Sequence, residues 1–246
     1  MNIVELENLK HQFPDGTVGL DGIRLSISKG SFVVIAGSNG SGKTTLLRHL
    51  NGLLNPTAGI VRIDGMPVSA DVRRARRKVG LVFQDPDSQI VGETVASDVA
   101  FGPQNLRLEP AEVDRRVSAA LESVGLKALA DKPPHLLSGG EKRRLALAGI
   151  LAMGPSVVAF DEPFASLDDT GVRSIVAEIC RLKNDGYTVI VTTHDLEPVL
   201  FIADRLIVMQ AGRIVRDGFP VQIANEVGDF GVRKPCTCGW PANRRE

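Results

Sequence analysis

The stretch Gly37-Ser38-Asn39-Gly40-Ser41-Gly42-Lys43-Thr44 constrains this chain more than any other. It follows the pattern G-x-x-x-x-G-K-[ST] of a phosphate-binding loop, and both flanks suit it. Before it runs Phe32-Val33-Val34-Ile35-Ala36, an apolar run fit for a buried strand. After it runs Thr45-Leu46-Leu47-Arg48-His49-Leu50-Asn51-Gly52, a helical pattern closed by glycine. Glycines let backbone N–H groups turn inward around phosphate oxygens, where a side chain would block them. The start of the following helix adds the positive end of its dipole. Lys43 supplies a point charge for the β- and γ-phosphates, and Thr44 a hydroxyl for Mg²⁺. By itself the loop indicates a nucleoside triphosphate and leaves open what the energy drives.

Later parts of the chain supply partners for this loop. Val79-Gly80-Leu81-Val82-Phe83 reads as a buried strand ending at Gln84, with Asp85-Pro86-Asp87-Ser88-Gln89 as loop. In an open parallel sheet, a polar residue at a strand's carboxyl end faces the ligand crevice. Val157-Val158-Ala159-Phe160 is a second such strand, ending in Asp161-Glu162-Pro163. An apolar strand followed by Asp is the Walker-B pattern, which assigns Asp161 to the metal. That leaves Glu162 to orient and deprotonate a water. Gly186 to Thr193 read as a third buried strand, with His194 at its tip.

Residues 94–150 change character: helical periodicity over Val95–Phe101 and Glu112–Val124, and no strand between. This predicts a helical insertion in an α/β core. It closes at Leu137-Ser138-Gly139-Gly140-Glu141, where Ser138 suits an N-cap and Glu141 the third position of a capping box. The two glycines and free N–H groups make a second anion site or simply a well-capped helix; spacing leaves both open. Phe13, just before the turn Pro14-Asp15-Gly16, is likewise either a core aromatic or a stacking platform for adenine. The basic run Arg73 to Lys78 reads as a solvated helix face. Ser166-Leu167-Asp168 reads as loop and helix cap, with a helix from about Gly171 to Lys183, and Leu206–Val215 as a hairpin around Ala211-Gly212.

Composition sets limits. The 246 residues carry 29 Lys+Arg and 29 Asp+Glu, so net charge gives no general case for nucleic acid or an anionic membrane surface. No apolar stretch approaches the roughly 20 residues that span a bilayer. The start of the chain has no signal-peptide pattern. The three cysteines, Cys180, Cys236 and Cys238, form no disulfide framework and fit a reducing, cytoplasmic setting. Two thiolates in the tail are too few for a closed zinc site.

In this order and spacing, the motifs resemble those of the nucleotide-binding subunit of an ATP-binding-cassette transporter, over about Val4 to Ile223. The resemblance implies a P-loop NTPase core of α/β class, with an N-terminal antiparallel β part and a helical insertion subdomain at about 90–155. The cassette would occupy residues 1–225, with an irregular tail over 226–246. Gly37 to Thr44 is similar to Walker A, with Thr45 beside it on the nucleotide. Gln84 is similar to the Q-loop, Leu137 to Glu141 to the signature, Ser166-Leu167-Asp168 to the D-loop and His194 to the switch histidine. Phe13 becomes an adenine-stacking candidate, with Phe for the usual Tyr. Thr44, Asp161 and Gln84 would hold Mg²⁺. Lys43, Gln84, Glu162 and His194 would serve hydrolysis of ATP. Ser138, Gly139 and Gly140 would serve the nucleotide of a second protomer, and Asp168 would be a further nucleotide-binding residue.

A closer likeness lies in Gln84 to Gln89 with Val99-Ala100-Phe101-Gly102-Pro103-Gln104-Asn105-Leu106. It resembles the ATPases of energy-coupling-factor importers for vitamins and transition-metal ions, with the biotin type first and the cobalt and nickel types second. That implies a dimer beneath a transmembrane coupling protein and a substrate-binding membrane protein, peripheral on the cytoplasmic face of the cell membrane. The longer C-terminal extension expected of paired ATPases is lacking, which favours a homodimer. Asp85 and Asp87 are expected to meet a basic residue of the coupling protein. Non-transport relatives of the fold differ in sequence: chromosome-organising ATPases insert a long coiled coil before the signature, and ribosome-associated factors carry two cassettes. Neither feature is present here, and nucleic acid is not an expected partner. The alternative within the family is the ATPase of an exporter or of a polar amino-acid importer, against which only the Gln84–Leu106 stretch argues.

Overall fold

The computed structural model describes residues 1–165 and 167–235. Ser166, Cys236 and Cys238 lie outside the described residues. The chain begins with β1 (Asn2–Gln12) and β2 (Val18–Ser28), then β3 (Phe32–Ala36) and α1 (Lys43–Leu50). β4 (Ala58–Ile63), β5 (Met66–Pro67), α2 (Val72–Lys78) and β6 (Val79–Val82) follow. Three helices come next: α3 (Val95–Asn105), α4 (Pro110–Ser123) and α5 (Gly139–Ala152). The chain then forms β7 (Val157–Asp161), α6 (Asp169–Asn184), β8 (Thr188–Thr193), β9 (Arg205–Gln210), β10 (Arg213–Gly218) and α7 (Pro220–Ile223).

Two sheets form. The first is antiparallel in the order β2-β1-β4-β5, and the second runs β10-β9-β3-β8-β7-β6. In the second sheet β6, β7, β8, β3 and β9 are parallel, and only the edge strand β10 is antiparallel. Every residue of β3, β6, β7 and β8 is buried, as continuous apolar runs in a doubly covered parallel sheet require. Alternation decides the two faces. Phe32 and Val34 of β3, with Val158 and Phe160 of β7, face a core completed by the helical segment and α6. Val33, Ile35, Val157 and Ala159 face the opposite core, where Leu46, Leu47 and Leu50 of α1 meet the antiparallel sheet. The helix after the glycine loop is thus held between two sheets.

Because these strands run parallel, Ala36, Val82, Asp161 and Thr193 end on one side of the molecule. The expected helical insertion is present between β6 and β7, with no strand inside it. The helix expected at Gly171–Lys183 is longer at both ends, because Asp168 accepts a hydrogen bond from the Gly171 amide and so starts it earlier. The expected irregular tail differs at its beginning. A short 3-10 turn spans Val227–Phe230, and Val227 and Val232 are buried in the core. These apolar residues gain burial that a polar tail would not. Among the described residues no helix is long and apolar enough to cross a membrane.

Candidate active site

The loop between β3 and α1 is shaped by positive φ at Gly40 (78°) and Gly42 (101°), a region that L side chains avoid. A Cβ at Gly42 would also lie 2.7 Å from the Gly19 carbonyl oxygen. Gly42 therefore fails to tolerate substitution on two counts. α1 begins directly after it, so its first N–H groups open into the loop.

Lys43 is buried, and its ammonium donates to the carbonyls of Gly37 at 2.8 Å and Ser38 at 3.1 Å. Its counter-charge is Glu162, with Oε1 3.1 Å away. A buried ammonium needs such a partner. The second oxygen of Glu162, Oε2, lies 2.8 Å from His194 Nδ1 and 3.2 Å from the His194 amide, which donates to it. Glu162 therefore bridges lysine and histidine. Its φ of 47° is left-handed for a non-glycine residue, a strained backbone held by the hydrogen bond from its amide to the Thr192 carbonyl.

Asp161 ends β7 and is buried. Its Oδ1 accepts from Thr44 Oγ1 at 3.0 Å and from Thr192 Oγ1 at 2.7 Å. Thr192 was not singled out by sequence. Its strand also carries Thr188 and Thr193, so nothing in the sequence marks Thr192 among them.

A cleft of about 320 Å³ brings together Phe13, Asn39 to Thr45, Gln84 and Glu162. Its volume is in the range of small-ligand sites. Thr17, Val18 and Gly19 also line it and were not anticipated. Gly19 has a physical signal: a Cβ there would lie 2.7 Å from the Phe13 ring. Gln84 is exposed, past the end of β6. Gln89 instead folds back on this edge strand, accepting from the Phe83 amide and donating to the Leu81 carbonyl.

Ser138, Gly139, Gly140 and Asp168 do not line this cleft. Ser138 caps α5 in a capping box: its amide donates to Glu141 at 2.7 Å, and its Oγ accepts from the Glu141 amide at 3.3 Å. A Cβ on Gly139 or Gly140 would meet no atom within 4 Å, so this face of the helix start is open. Asp87, expected to be available to a partner, is already paired with Lys142 of α5 at 2.6 Å. The loop's exit is also fixed, because buried Asp98 accepts from the amides of Val91 and Gly92.

Residues 20–165 match the family model described as ABC transporter. The chain belongs to this family. The energy-coupling factor transporter ATP-binding protein EcfA of Methanocaldococcus jannaschii is 47% identical over 92% of this chain and 82% of its own length. EcfA of Carboxydothermus hydrogenoformans is 51% identical over 89% of this chain and 82% of its own. Among solved structures, cbiO1 of Clostridium perfringens, described as part of the ABC transporter complex cbiONQ, superposes with a TM-score of 0.82. It is 38% identical and covers 92% of this chain and 94% of its own. The chain is an ABC ATPase, and its ATP hydrolysis is coupled to transport.

Proposed function

We propose that this ABC ATPase energises an energy-coupling-factor importer for a vitamin or a transition-metal ion, with biotin first and cobalt or nickel second. It sits on the cytoplasmic face of the membrane, as a homodimer beneath a transmembrane coupling protein and a substrate-binding membrane protein. The relatives support the importer type, and the solute class rests on the likeness of residues 84–106.

The observation that carries the hydrolytic reading is the meeting of Lys43, Glu162 and the Thr44–Asp161 pair at one cleft. The loop amides and Lys43 bind the β- and γ-phosphates, and Phe13 stacks on the adenine. An incoming triphosphate competes with Glu162 for Lys43, since both are anions and the ammonium is single. Separated from Lys43, Glu162 is the acceptor for a water proton, while His194 holds its other oxygen and contacts the γ-phosphate. Thr44, Asp161 and Gln84 offer hard oxygen donors, with one carboxylate among them. That set suits Mg²⁺, which keeps waters and phosphate oxygens as its other ligands. Bound there, the ion would neutralise charge on the phosphates.

Ser138, Gly139 and Gly140 serve the nucleotide of the partner protomer, and Asp168 is a further nucleotide-binding residue. The capped, open start of α5 supports this, because it lies outside the chain's own cleft. The test uses Ser138→Arg. It should leave ATP binding to one protomer within about twofold while abolishing dimerisation on ATP, read by light scattering. An ATP-driven dimer as stable as the parent's would remove the assignment in trans. Identification of the membrane subunits that copurify, and of the solute they bind, tests the importer and its cargo.

A further inference from the structure

We propose that His11 is a positioning residue for the purine of ATP, acting through Phe13, and that His49 ties it to the helix of the phosphate-binding loop. The proposal rests on the reading of Phe13 as the base platform. The His11 and Phe13 rings meet edge to face, with centroids 4.6 Å apart at 85°. His11 meets His49 of α1 in the same manner, at 4.8 Å and 73°. Both imidazoles are buried. Such geometry is the favoured one for aromatic pairs.

The hydrogen bonds define which nitrogen donates. His49 Nδ1 lies 2.7 Å from the Thr45 carbonyl and His11 Nδ1 lies 3.2 Å from the Asn55 carbonyl. A carbonyl only accepts, so each Nδ1 carries a hydrogen and donates it. Both Nε2 atoms are buried with no hydrogen-bond partner among the described residues. Burial also pushes the pKa of His49 below its ordinary value. Two apolar side chains would avoid the unpartnered nitrogens but lose the hydrogen bonds to the Asn55 and Thr45 carbonyls. Those bonds fix the two rings; the row that the rings form with Phe13 needs its own account.

Position accounts for it. Phe13 follows β1 directly and is held by its amide on the Thr17 carbonyl. Its ring lies against Gly19, where a Cβ would sit 2.7 Å from Cε2 and 3.3 Å from the Thr45 methyl. Thr45 thus flanks the platform with its methyl and holds His49 with its carbonyl. The stack Phe13-His11-His49 joins the antiparallel sheet to the helix that opens the phosphate loop. It sets the plane of the base relative to the phosphates.

The test is ATPase kinetics of the assembled transporter with His11→Leu, which keeps apolar volume without a ring, and His11→Phe, which restores a ring. Inorganic tripolyphosphate, which has no base, serves as competitive inhibitor. For His11→Leu the KM for ATP should rise roughly two- to tenfold, the worth of one aromatic pair, with kcat within about twofold. Inhibition by tripolyphosphate should be unchanged, and His11→Phe should return most of the KM. Weakening of tripolyphosphate in parallel with ATP would overturn the proposal, because His11 would then act on the phosphate loop. An unchanged KM in His11→Leu, beside a raised KM in Phe13→Ala, would overturn it while leaving the base platform intact. An unchanged KM in Phe13→Ala would remove the platform itself and the proposal with it.

Discussion

Glu162 carries three demands at once: it neutralises Lys43, holds His194, and sits in a left-handed backbone conformation. The strain places its carboxylate at the strand tip between Lys43 and His194, and the Thr192 carbonyl holds the turn. Glu162→Gln should retain Mg-ATP binding, since Lys43 and the Thr44–Asp161 pair remain. Removing the carboxylate's charge also relieves competition for Lys43, so affinity for ATP should not fall. Turnover should drop about 10²–10⁴-fold, the usual contribution of a general base. Single-turnover hydrolysis and ATP binding, measured on the same preparation, check this. Near-parental turnover would place the base elsewhere.

At the scale of elements, α5 begins with a reciprocal cap whose charge has a measurable signature. The Ser138 amide, followed by its hydroxyl, holds the Glu141 carboxyl below its ordinary value of 4.5. A pKa lower in the folded chain than in the unfolded one gives stabilisation that is present in full above the unfolded value. It is lost as pH falls through the folded value. Protection of the Ser138 amide against hydrogen exchange should therefore hold from neutral pH to about 4.5 and decline below. In Glu141→Gln the acid decline should vanish, since the amide does not titrate. Superimposable acid profiles for the two chains would show that Glu141 does not hold this cap. The same helix carries Lys142, so its first turn is joined to the loop after β6 through Asp87.

At the scale of the whole molecule, that pair links the loop leaving the ATP cleft to the helical segment. Its side chains are 63% exposed for Asp87 and 20% for Lys142, and a pair this open is worth about 0.2–1 kcal/mol. Asp87→Arg should weaken attachment to the coupling protein while leaving ATP binding within about twofold, because a reversed rim charge acts on association and its salt dependence. The double change Asp87→Lys with Lys142→Asp separates two causes. It restores the internal pair with inverted sign, so attachment should stay weak if Asp87 meets a basic residue of the partner. Full recovery of attachment, measured by pull-down across salt, would assign the effect to the internal pair alone.

The sequence alone determined the candidate positions, because phosphate binding, metal ligation and base catalysis each demand particular residue types next to strand ends and helix starts. Lys43, Thr44, Gln84, Asp161, Glu162 and His194 were legible as candidates for that reason, and the buried strands and the cap of α5 were legible from pattern. What needed the tertiary structure was every contact made across sequence distance. Asp87 looks free in the sequence and is bound by Lys142, 55 positions away. Thr192 reads as an ordinary strand residue, and its hydroxyl holds Asp161 because β8 lies beside β7. His11 and His49 show no pattern in one dimension. They meet because α1 is packed between the two sheets, and only that packing sets one buried imidazole behind Phe13 and the next behind it. Local composition records what a residue is able to do; the folded chain decides which partner is within reach of it.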